Sequence, residues 1–108
     1  MEYLSYEFGP WEITRKTKIK LPVIVGVVGS GNLEILIEQR DLGGQTKIVL
    51  ETSVSGYAET WAAVLRNFAE ERQFADTLIT INDGGATPAV VQLRLAQGSQ
   101  HWQDENES

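Results

Sequence analysis

The chain of 108 residues has no cysteine. Disulfides, thiolate metal sites and a cysteine nucleophile are excluded, and any thiol chemistry would have to come from an attached group. Histidine occurs once, as His101, in a polar stretch with no catalytic partner beside it. Metal sites need several ligands converging in space. Neither Glu70-Glu71 nor the group Asp104, Glu105 and Glu107 has the spacing for one. Basic residues are a minority, 9 against 15 acidic, and the net charge of −6 argues against binding nucleic acid through its phosphates. No apolar run approaches the roughly 18 residues of a membrane span. The longest, residues 21–28, is interrupted by Pro22 and Gly26. The acidic start, Met1-Glu2-Tyr3-Leu4-Ser5-Tyr6-Glu7, lacks the basic region of a signal peptide, so a cytoplasmic location is expected.

What remains is ordinary globular composition, 42% hydrophobic and 22% charged, in a length that suits one domain with its own core. Leu4, Tyr6 and Phe8 alternate with Ser5 and Glu7, a short strand closed by Gly9-Pro10. Residues 13–20 alternate again, with Thr17, Ile19 and Leu21 on one side and Lys16, Lys18 and Lys20 on the other. The plain reading of those lysines is a solvated or aggregation-guarded strand face. The functional reading is a contact for a phosphate-bearing group or an acidic partner. Pro22 suits an edge or a bulge.

Residues 23–28 climb into Gly29-Ser30-Gly31-Asn32, and residues 33–38 leave it with Leu33, Ile35 and Ile37 on one face and Glu34 and Glu38 on the other. This is a hairpin with a hydroxyl at its tip, in a register that a one-residue slip would ruin by turning the glutamates inward. Asp41-Leu42-Gly43-Gly44 turns the chain, and residues 46–54 return as a further strand of an antiparallel meander. Ser53-Val54-Ser55-Gly56 offers helix caps. Tyr57, Trp61, Val64, Leu65 and Phe68 then fall on one helical stripe, whose plain purpose is packing against the sheet. Residues 76–81 read as a strand ended by Asn82-Asp83-Gly84-Gly85, a turn whose Asp83 is a weaker candidate for a phosphate or partner contact. Thr87-Pro88 begins the last element like a helix, and Gly98 sits where a C-cap glycine belongs, although Val91, Leu93 and Leu95 alternate as in a strand. Helix is the favoured reading, with a polar acidic tail fraying beyond it. The expectation is an α+β fold in a single domain: an antiparallel sheet, one long amphipathic helix and a second C-terminal helix over residues 1–98, then a tail over 99–108.

No reagent stands out within this frame. A nucleophilic serine needs a base within hydrogen-bond reach and a third group to orient it, and none is evident near Ser30. The glycines around it do not form a nucleotide loop, since no Gly-x-Gly-x-x-Gly or Gly-Lys-Ser/Thr occurs and no helix begins there. The residues alone indicate a module that carries, binds or scaffolds. An unmodified adaptor stays open as a reading, and a carrier of biotin or lipoate does not, because the tip has no lysine.

The segment from Gly29 to Glu38 resembles the prosthetic-group segment of the malonate decarboxylase acyl carrier (delta) subunits, which run Gly-Ser-Gly-Asp-Leu-Glu-Val-Leu here. The likeness continues through Thr52-Ser53-Val54-Ser55-Gly56 to Trp61, resumes from Gly85 to Leu95, and includes the opening Met1 to Phe8. More distantly the hairpin tip resembles that of the citrate lyase acyl carrier, the alternative within the same class. The resemblance implies a non-catalytic subunit in which Ser30, supported by Gly29, Gly31 and Asn32, carries 2′-(5″-triphosphoribosyl)-3′-dephospho-coenzyme A through a phosphodiester bond. The thiol of that group would hold acetyl and malonyl thioesters while malonate is decarboxylated. The implied partners are the alpha acyl-transferase subunit, the beta and gamma decarboxylase subunits and a prosthetic-group transferase. Asn32 departs from the family's aspartate: it keeps the turn geometry and removes one charge.

Overall fold

A computed structural model describes residues 2–11, 23–26 and 33–106. The strand expected over residues 13–20 and the edge position expected for Pro22 lie outside the described residues. In chain order the elements are β1 (Glu2–Phe8), β2 (Val23–Gly26), β3 (Leu33–Gln39), β4 (Thr46–Thr52), α1 (Ala58–Arg72), β5 (Thr77–Asp83) and α2 (Pro88–Asn106). The α+β class and both helices are as expected from sequence.

The sheet is not the expected meander. The five strands among the described residues run in the order β1-β4-β5-β3-β2, with β5 inserted between the sequence neighbours β3 and β4. All pairs are antiparallel except β4 with β5. A parallel pair needs a long crossover, and α1 supplies it. Burial explains the central place of β5, whose alternate residues Thr77, Ile79, Ile81 and Asp83 are all buried. On β1 the inward residues are only half-buried, as suits an edge.

One core joins Leu33, Ile35 and Ile37 of β3 and Ile48 and Leu50 of β4 to Ile79 and Ile81. Helix α1 covers it with Trp61, Leu65 and Phe68, and α2 with Val91, Leu95 and Trp102. Both helices therefore pack on the same face. Glu34 stays exposed on the other, so the register expected for β3 is the one adopted.

Three local expectations are corrected. Residues 53–56 do not cap α1: the N-cap is Tyr57, without a side-chain capping bond and 46% exposed, so it leaves the core stripe it was expected to join. Gly98 does not end α2, which runs on to Asn106. The fraying expected beyond Gln97 is likewise replaced by helix, in which Ser99 and Trp102 are buried. Glycine inside a helix costs about 1 kcal/mol, whereas burying a side chain as large as Trp102 contributes roughly 1.5–3 kcal/mol. The tryptophan wins, and Leu93, read as part of an alternation, turns outward at 58% exposure.

Candidate functional site

The strands place the β2–β3 connection. In this pair Val23 faces Ile37, Ile24 faces Leu36, Val25 faces Ile35 and Gly26 faces Glu34. Every pair is equidistant in sequence from position 30, so Ser30 is the midpoint of the connection. Gly29, Ser30, Gly31 and Asn32 themselves lie outside the described residues, as do Lys16, Lys18 and Lys20. The root of the hairpin is described. On its inner side β3 pairs with β5 along its whole length, Leu33 opposite Asp83 and Gln39 opposite Thr77, while β2 is the outermost strand on that side among the described residues. Since α2 packs on both β2 and β3, the connection springs from a supported base.

Glu2 of β1, Thr52 of β4 and Asp83 of β5 share this end of the sheet, because Glu2 pairs with Thr52 and Thr52 with Asp83. Asp83 is the hub of the end. Its Oδ1 accepts the backbone N–H groups of Gly85 at 3.0 Å and Ala86 at 2.6 Å, and its Oδ2 accepts the Thr52 hydroxyl at 3.0 Å. The Asp83 backbone carbonyl accepts from Ser53 N–H at 2.9 Å, and Thr52 Oγ1 accepts from Val54 N–H at 3.1 Å. A buried carboxylate needs such donors. The side chain is only 4% exposed, and its oxygens join the β4–α1 and β5–α2 connections.

Between those connections lies a cleft of about 160 Å³, walled by Val54, Tyr57, Trp61, Ala86, Thr87 and Pro88, with Gly85 at its margin. Gly85 has φ +148° and open space where a side chain would stand, a backbone conformation that favours glycine. Sequence reasoning missed this cleft. It took Trp61 and Tyr57 as core and Thr87-Pro88 as a helix start, and only Gly84-Gly85 hinted at an accessible turn. At the opposite end of the sheet Asp76 plays a similar structural part, accepting Leu42 N–H at 3.0 Å and Gly44 N–H at 2.7 Å.

No group of His, Asp and Glu able to hold a metal occurs among the described residues. The phenol of Tyr6 is held above its ordinary range first by burial and second by the nearby Glu2 carboxylate. Neither feature makes a reaction centre. The arrangement is a stiff scaffold that presents a connection centred on a serine.

Proteins similar to this chain include acyl carrier proteins. The malonate decarboxylase acyl carrier protein of Acinetobacter calcoaceticus is 44% identical over 97 residues, covering 90% of this chain and 92% of its own. That of Burkholderia cepacia is 53% identical over 78 residues, covering 72% and 71% respectively. A chain in the crystal structure of a Pseudomonas malonate decarboxylase hetero-tetramer in complex with malonate superimposes with a TM-score of 0.71 at 38% identity, covering 94% of this chain and 98% of that one. The family model for the malonate decarboxylase delta subunit (MdcD) matches residues 20–101. The chain belongs to this family of acyl carrier proteins.

Proposed function

We propose that this chain is the acyl carrier subunit of a malonate decarboxylase and that Ser30 is the point at which its prosthetic group is attached. The observation that carries the reading is the β2–β3 register, symmetric about position 30. The group inferred from the family likeness is 2′-(5″-triphosphoribosyl)-3′-dephospho-coenzyme A. When bound it would supply a thiol, and hence the acyl-activating chemistry that a chain without cysteine lacks.

This chain's own part is presentation. A phosphodiester link needs a hydroxyl that a transferase can reach, and the glycines on either side of Ser30 leave the backbone open to close approach. The buried Leu33, Ile35 and Ile37 fix the root, so the direction of the arm is set by the sheet. Strand positions at this end carry Glu34 and Glu51 on the solvent face of the sheet, which repel a phosphate-rich arm from that face and favour its extension away from it. Catalytic side chains are assigned to partner subunits, with which the carrier would assemble as in the hetero-tetramer. Lys16, Lys18 and Lys20 are the proposed phosphate or partner contacts.

Intact-mass measurement tests the attachment. Co-expression with the transferase and its companion subunits is expected to add one large increment, lost in Ser30→Ala while the variant keeps wild-type stability. An unmodified wild-type mass in the presence of an active transferase would sink the proposal.

A further inference from the structure

We infer that the cleft between the N-termini of α1 and α2 is a resting site for the thiol end of the carrier arm together with the small acyl group on it. The inference rests on the carrier reading for its occupant, and on four features of the described residues for the site itself.

Position comes first. Leu33, the first described residue after the Ser30 connection, pairs with Asp83, and the wall of the cleft begins two residues further on at Gly85. Neighbouring strands are about 4.8 Å apart, and an arm of the coenzyme A type is several times longer than that step. Size and wall chemistry come second. About 160 Å³ walled chiefly by Val54, Trp61, Ala86 and Pro88 matches a small, weakly polar group. A cavity of about 150 Å³ with apolar walls can hold a guest as large as benzene. An acetyl thioester end is of that order, and the phosphate and sugar parts of the arm are excluded by both volume and polarity.

Preorganisation is the third feature. The Asp83 carboxylate holds Gly85 and Ala86 on one side and Thr52 on the other, and Thr52 in turn holds Val54. The cleft thus exists without a guest, and filling it costs little reordering of its walls. Fourth, the hydrogen-bonding capacity around it is incompletely used. Helix α1 starts at Tyr57 without a side-chain cap. The first-turn N–H groups of a helix have no intrahelical partner, so the start of α1 offers a guest carbonyl a donor beside the cleft.

The test separates the cleft from the attachment. The full unmodified chain is titrated with S-acetylpantetheine while the 15N–1H resonances of the Trp61 indole and the Ala86 and Thr87 amides are followed. Saturable shifts at these three, with none at Gly44 beside Asp76, are expected. Val54→Phe, which fills the cleft from a half-buried position, is expected to weaken binding by about 10-fold or more, a loss typical of one well-placed contact. A folded wild-type chain with no shifts up to about 10 mM probe, a concentration that detects even millimolar affinity, would overturn the inference. So would shifts that persist unchanged in a folded Val54→Phe chain, since the probe would then be binding elsewhere. None of these outcomes depends on Ser30 being modified, so an unmodified mass would remove the carrier reading without altering the binding result.

Discussion

Replacing Asp83 by alanine removes one carboxylate and three hydrogen bonds at once. The donors left behind are Gly85 N–H, Ala86 N–H and the Thr52 hydroxyl. The hydroxyl has a second acceptor in reach, the Val54 carbonyl at 3.4 Å, and Gly85 is exposed, so water can serve its N–H. Ala86 is buried and its N–H has nowhere to turn. Hydrogen bonds to charged groups are worth about 1.5–3 kcal/mol each, and one abandoned buried donor costs about 1–3 kcal/mol. Because the three share one acceptor their losses do not add, and a total near 3 kcal/mol is expected. For a domain of this length that lowers Tm by roughly 12–20 °C. Asp83→Asn is the informative companion. Its amide oxygen can still accept from Gly85 and Ala86, and its NH2 can donate to Thr52 Oγ1 while the hydroxyl turns to Val54. It should cost about 1 kcal/mol. Urea denaturation of the three proteins at neutral pH measures the series, provided the slopes agree. If Asp83→Ala stayed within about 0.5 kcal/mol of wild type, the figure for an inert surface change, the description of Asp83 as the clamp between the two connections would be wrong.

Two further outcomes follow from the same structure. Trp102→Ala is expected to destabilise by about 3–5 kcal/mol, despite lying in a segment whose composition reads as a tail. A loss below about 1 kcal/mol in chemical denaturation would show that the end of α2 does not pack on the core. Tyr6 should make stability fall at high pH. Its folded-state pKa is raised above 10.0 by burial and by Glu2, so the protonated phenol favours the fold. This contribution is fully present below the unfolded-state pKa and is lost as pH rises through the folded one. Tyr6→Phe should flatten the decline in Tm above about pH 10, and an unchanged slope would remove that account.

Much of the site was legible from local pattern. The alternation on either side of Gly29-Ser30-Gly31-Asn32 identified the two strands, and β2 and β3 pair antiparallel in a register centred on position 30. The group proposed for that serine came from resemblance, because a hydroxyl has no chemistry that periodicity can read. Trp61, Leu65 and Phe68 also spoke for themselves, since one helical stripe needs only one apolar surface to face. Asp83 did not. Between Asn82 and Gly84 it has the look of a solvent turn, and only the approach of Thr52 from another strand turns it into a buried acceptor.

The sequence by itself determined the elements, because helix and strand periods are carried by residues a few positions apart. It determined the absence of a thiol and the pairing of the two strands that flank Ser30 in sequence. Tertiary structure alone decided that β5 enters between β3 and β4, that α2 runs through Gly98 to bury Trp102, and that a cleft opens beside Trp61. Each of these turns on residues far apart in the chain competing for one apolar surface. Such a contest is settled by total burial, and no local pattern records it.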